Sequence, residues 1–230
     1  MARAAGTKRP SLTRGQILDA ATRLADEAGI GAVTMRRLAQ QLGIEAMSLY
    51  HHVADKNELL DGMVEQLVGE INDRVVHALP PGSDWKPVVR ERILTARQVL
   101  LAHPWSPAVI ESRQGFNPAV LRYFDSLAGL LREGGLPVDL VHRAMHALGS
   151  RALGFSQELF APGGAADEGS EVEPFPEGAA EAFPYLTEIV TQAIHDHGST
   201  LGWCDDQVEF EFGLDLMLDG LQRLGAADMG

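Results

Sequence analysis

The chain has 230 residues, one cysteine, and 19 Lys+Arg against 32 Asp+Glu, a formal net charge of -13. Hydrophobic residues make up 45% and charged residues 22%, the composition of a folded globular chain and not of a disordered one. The single cysteine, Cys204, excludes an intramolecular disulfide framework and fits a reducing compartment; no apolar run approaches the ~18 residues of a membrane span, and no apolar stretch follows the basic residues of the first ten positions to make a secretory signal, so a cytoplasmic protein is expected.

A polar arm, residues 1–12, leads to Thr13, a helix N-cap. Behind it Ile17, Leu18, Ala21, Leu24, Ala25 and Ala28 recur at the spacing of one buried helix face. Gly29-Ile30-Gly31 ends that helix. Thr34 caps a second, short helix over 35–42, whose Leu38, Ala39 and Leu42 point one way, and Gly43 terminates it in a left-handed conformation. A third short helix is predicted over about 45–51. Asp55 then caps a long fourth helix bearing Leu59, Leu60, Met63, Val64, Leu67, Val68, Ile71 and Val75, which runs until Pro80-Pro81-Gly82. Further helices are predicted over about 85–102, 107–112, 118–133, 138–160, 182–197 and 206–224. Residues 162–176, rich in Gly, Pro and acids, read as a loop. In the last segment Phe210, Phe212, Leu214, Leu216 and Leu218 alternate as a strand would. The same residues also give a helical stripe of Phe210, Leu214, Met217, Leu218, Leu221 and Leu224, with Phe212 and Leu216 on a neighbouring face. No other segment offers a sheet partner, so an all-α fold is expected, with two apolar faces on the last helix.

The net charge hides an asymmetry. Residues 1–60 hold 8 basic and 6 acidic side chains, and residues 61–230 hold 11 and 26, so the chain divides by charge into domains 1–60 and 61–230. Within the first part, residues 35–50 have the spacing of a helix-turn-helix. Ala39 is small enough for two helices to cross closely, and Gly43 permits the sharp turn between them. Ile44 and Leu49 anchor the second helix, leaving Ala46, Met47, Ser48, Tyr50, His51 and His52 outward. Hydroxyls, imidazoles and small residues suit base edges and phosphates in a DNA major groove. The spacing alone also fits a three-helix subdomain that binds nothing.

The linked stretches Ile17-Leu18-Asp19-Ala20-Ala21, Leu24 to Gly29, Val33 to Ala39, Leu42-Gly43-Ile44, Ser48 to Val53 and Asp55 to Asp61 resemble the DNA-binding domain of the tetracycline repressor (TetR) family. The resemblance covers about the first quarter of the chain. It implies an N-terminal helix-turn-helix domain ahead of a larger helical domain for ligand binding and dimerisation. It also implies roles: Thr34 and Arg36 on phosphate or a base edge, Ala46, Met47 and Ser48 in the groove, Tyr50, His51 and His52 on backbone or bases, and Lys56 on a phosphate. Ala46 and Met47 depart from the family's founding pattern and offer no side-chain hydrogen bonds, which implies an operator sequence of its own. The implied partners are a double-stranded DNA operator, a small-molecule effector and a second copy of the chain, with no membrane. The implied function is a repressor that binds a palindromic operator as a homodimer and is released by an inducer. The dimer would form through the helices predicted over 138–160 and 206–224.

For the effector pocket, polar and aromatic side chains amid apolar helices are the candidates: His103, Trp105, Phe116, Tyr123, His142, Met145, His146, Phe155 and Gln157. His142 and His146 stand at i, i+4, a spacing that can chelate a metal, but no carboxylate or cysteine at ligand spacing completes a set; neither a metal nor a cofactor is expected. An enzyme is not expected either. Gly29-Ile30-Gly31 lacks a third glycine and follows a helix, and neither a His-Glu-x-x-His pair nor a Gly-x-Ser-x-Gly elbow is present. Cys204 lies beside Asp205 and Asp206, a setting that disfavours a thiolate nucleophile. The alternative is a helical protein-interaction module without DNA binding.

Overall fold

The computed structural model describes residues 12–113, 117–155, 179–185, 187–188 and 206–227. Phe116, Gln157, Cys204, the basic arm before Leu12, the loop over 162–176 and most of the helix predicted over 182–197 lie outside the described residues. Among the described residues every regular element is helical: the fold is all-α. Packing divides the chain into two units, Met1–Leu136 and Pro137–Gly230. The change of charge near residue 60 falls inside a helix of the first.

The first unit holds α1 (Arg14–Ala28), α2 (Met35–Leu42), α3 (Ala46–Leu49), α4 (Lys56–Arg74), α5 (Trp85–Leu101), α6 (Ser106–Ser112) and α7 (Pro118–Glu133). Local chemistry sets their starts. Thr13 and Gln16 form a reciprocal capping box, with Thr13 N–H donating to Gln16 Oε1 at 3.0 Å and Gln16 N–H to Thr13 Oγ1 at 3.3 Å. Thr34 caps α2, Asp55 caps α4, and the Asn117 carboxamide caps α7. Gly43 closes α2 at φ 66°, ψ 35°, a left-handed geometry that costs a side-chain-bearing residue more than glycine. Ile17, Ala21, Leu38, Leu49, Leu59, Met63 and Val68 are fully buried where α1–α4 meet. Further along, α4 packs on α5, α6 and α7, so one helix begins beside the helix-turn-helix and ends in the larger bundle.

The fourth helix was expected to reach Pro80. It ends at Arg74, and side chains take up backbone carbonyls in its last turn and just beyond it: the His77 ring bonds Asn72 O at 2.6 Å, and Arg92 Nη1 donates to Val76 O at 2.6 Å. The third helix is shorter than expected as well, with Glu45 as its N-cap and Tyr50 as its C-cap.

The second unit holds α8 (Val138–Leu148), a 3-10 segment (Gly149–Leu153), α9 (Ala179–Ala182) and α10 (Asp206–Ala227). The helix expected over 138–160 stops at Leu148, because Gly149 adopts φ 46° and the following turn tightens. Arg151 from that turn donates to Phe210 O at 3.0 Å and lies over the Phe210 ring, its guanidinium carbon 4.8 Å from the centroid. The final segment is a helix, as expected. α10 packs on α8 and buries Phe210, Leu214, Leu218 and Leu221, while Val208, Phe212, Leu216 and Leu224 stay exposed. No helix among the described residues is long and apolar enough to cross a membrane.

Candidate nucleic-acid interface and effector core

The α2–turn–α3 segment is held from beneath. Ala39 and Leu49 are buried, and Ile44 N–H donates to Ala39 O at 3.0 Å across the turn. That anchoring fixes what faces outward. Met47 is 69% and Tyr50 45% exposed, Ser48 and His51 are exposed, and Ala46 and His52 are half-buried. An exposed methionine on a four-residue helix and an exposed tyrosine at its C-cap have no core role. Thr34 and Arg36 are exposed at the start of α2, Thr34 Oγ1 also accepting from Arg37 N–H at 3.2 Å. Lys56 is exposed at the first position of α4. Arg37, equally exposed on α2, adds a cation to this surface that the spacing argument did not select.

The described effector candidates fall into groups by what they touch. His103 Nδ1 and Trp105 Nε1 both reach Asp26 Oδ1 on α1, at 2.8 and 2.7 Å. Trp105 is buried and His103 half-buried. This pair ties the α5–α6 corner to the last two turns of the first helix. Tyr123 is fully buried with the Arg92 guanidinium carbon 4.4 Å from its ring centroid. Burial pushes the Tyr123 hydroxyl well above its ordinary range, with Arg92 opposing, and burial pulls the Arg92 guanidinium down. His142 and His146 are exposed, their Nε2 atoms 3.0 Å apart and rings edge to face. Met145 and Phe155 are half-buried. Among the described residues no group of three or more His, Cys, Asp or Glu is placed to hold a metal ion.

Asp26 and Arg92 carry these contacts, and the sequence reading selects neither. Arg92 and Asn72 sit on the apolar stripes of α5 and α4, beside Val89, Ile93 and Ala96 and beside Val68 and Ile71. A polar residue in phase with a buried stripe was the available signal.

Comparison with known proteins gives the family. The model for the tetracyclin repressor-like C-terminal domain matches residues 79–224, and that for bacterial regulatory proteins of the tetR family matches residues 17–63. An HTH-type transcriptional regulator of Saccharopolyspora erythraea is 32% identical over 127 residues, 55% of this chain and 52% of that protein, so the chain spans about half the length of this relative. The HTH-type transcriptional repressor DrrR1 of Streptomyces coeruleorubidus is 27% identical over 96% of this chain and 82% of its own. In structure, the chain is similar to the Streptomyces coelicolor TetR family protein ActR in complex with actinorhodin, with a TM-score of 0.68, 25% identity, and 94% of this chain and 97% of that one covered. With a DNA-binding match at the front and a C-terminal match over more than half its length, the chain belongs to the TetR family of DNA-binding transcriptional regulators, which are not enzymes.

Proposed function

We propose that this chain represses transcription as a homodimer on a two-fold operator and is released from it by a small-molecule inducer. The observation that carries the reading is the outward set of α3 and its neighbours, Met47, Ser48, Tyr50 and His51 with Arg36 and Lys56, held over a buried Leu49. Thr34, Ala46 and His52 complete it. Two copies reading successive major-groove faces need recognition helices about one DNA turn (~34 Å) apart. The exposed stripe Val208, Phe212, Leu216 on α10 is an apolar face that one copy leaves uncovered and a second copy would bury. The name of DrrR1 as a repressor and the actinorhodin complex of ActR support repression and a small-molecule ligand. Cytoplasmic residence, beside the DNA, follows from the same reading.

Release requires a ligand that favours the non-binding conformation by its differential affinity. Helix α4 is the natural carrier, since it starts at Lys56 in the reading head and ends among α5 and α7. Selection of bound DNA from a random pool tests the proposal. A palindrome with half-sites one turn apart is the expected result, and a pool with no enrichment would leave the interaction-module alternative standing.

A further inference from the structure

We propose that His142 and His146 form a two-imidazole clip on the outer face of α8 for a late first-row divalent transition-metal ion, Cu2+ above the others, with water completing its coordination. The site lies apart from the reading head and stands independently of the operator proposal. Helix α8 fixes the pair. Leu140, Val141, Ala144 and Leu148 are buried on one side of it, and α10 packs on this helix. The two histidines fall on the opposite side and are exposed. Their spacing of four residues places both side chains on one stripe, a single turn apart.

The rings have turned towards each other. Nε2 of His142 and Nε2 of His146 are 3.0 Å apart, and the ring planes stand at 84°. A neutral imidazole offers its lone pair on the nitrogen that carries no proton. Two such lone pairs facing each other at this distance repel, so the arrangement needs a positive centre between them, a proton or a metal ion. A shared proton leaves one hydrogen bond on a wet surface, where its net worth is small. A metal ion uses both lone pairs at once. With metal–nitrogen bonds of about 2.0–2.1 Å, a separation of 3.0 Å corresponds to roughly 95° at the ion. That is the cis angle of tetragonal Cu2+ or Ni2+ and is narrower than the tetrahedral angle of structural zinc. The order of intrinsic affinities among these ions puts copper first.

Sequence spacing leads to no metal here, because no carboxylate or cysteine completes a ligand set. Among the described residues no third His, Cys, Asp or Glu joins the pair, Asp139 one turn earlier included. What this excludes is a closed structural site. Two imidazoles with the other positions open make an exchangeable surface site. The helix supplies the chelate effect, since once one ring binds the ion the second is already within reach.

Calorimetric titration of the full chain with Cu2+, in a weakly coordinating buffer at neutral pH, tests the clip. The chain has eight histidines, so the quantity read is the difference between variants. His142→Gln and His146→Gln should each move one copper ion per chain to binding about a hundredfold weaker, and the double substitution should move no second ion. Both positions are exposed, so the metal-free variants should keep the helix content and melting of the parent. A third variant, His146→Gln with Ala147→His, keeps two imidazoles but takes one off the stripe, and it should lose the ion as the single variants do. Unchanged copper binding in either single variant, or full binding retained in the third, would overturn the clip and leave the pair as a hydrogen bond.

Discussion

Lys56 and Tyr50 make the reading head testable at single residues. Lys56 stands at the first turn of α4, exposed, and Tyr50 is the C-cap of α3. If Lys56 holds a phosphate, Lys56→Ala should weaken binding to all sequences alike and reduce the slope of log affinity against log salt by about 1. Tyr50→Ala should act in the same sequence-independent way. Met47 and Ser48 changes should instead alter which base is preferred, read by repeating the selection. Unchanged operator affinity in a gel-shift titration of Lys56→Ala would remove this placement of α4. Tyr123 makes a separate prediction. Its folded-state hydroxyl is held above the ordinary value near 10, so the unfolded chain loses that proton first as pH rises. The stability from this group is complete below about pH 10 and declines above it; alkaline denaturation that is weaker in Tyr123→Phe would be the observation. Caps such as Thr13, Thr34 and Asp55 were legible because cap and helix lie within four residues. Arg92 was not, since its acceptors Val76 and Tyr123 lie 16 and 31 positions away.

Between helices, the junction at Asp26 is a contact between the first helix and the α5–α6 corner. One carboxylate oxygen accepts from Trp105 Nε1 and bonds His103 Nδ1. Asp26→Ala leaves the buried Trp105 N–H without an acceptor, a loss of about 1–3 kcal/mol. Asp26 is itself part-exposed, so water can replace some of the bond and the lower end is expected. The measurement is urea denaturation with operator affinity alongside it. If the junction sets the angle of the head, affinity should fall more than the residual folded fraction explains; a parallel fall in both would make the contact purely structural. This link was invisible in the sequence, where Asp26 is a polar position on the open side of α1 and lies 77 residues from His103. Element limits show the same boundary of legibility. The span of α7 was readable from Asn117-Pro118 at one end and Gly134 at the other. Overlong expectations for α4 and α8 continued an apolar pattern past points where tertiary bonds or a glycine conformation ended the helix.

Charge and symmetry belong to the whole molecule. The net -13 averages a mildly basic reading head and a strongly acidic remainder, so association with DNA must be oriented: the acidic part is repelled by the backbone that the head engages. A single head of this size would bind a half-site weakly, and doubling it on one rigid partner makes the second contact intramolecular. The exposed face of α10 is where that doubling can be examined without disturbing the core. Phe212 is 61% exposed in the single chain, so Phe212→Glu puts a charge into water and should leave the melting of an isolated copy within about 0.5 kcal/mol of its starting value. In a dimer sealed by this stripe, the same change buries an unpaired carboxylate beside its symmetry mate. Sedimentation should then report a monomer mass, and affinity for a full palindrome should fall toward that for a half-site. A dimer that survives Phe212→Glu with unchanged operator affinity would move the subunit contact off this face of α10.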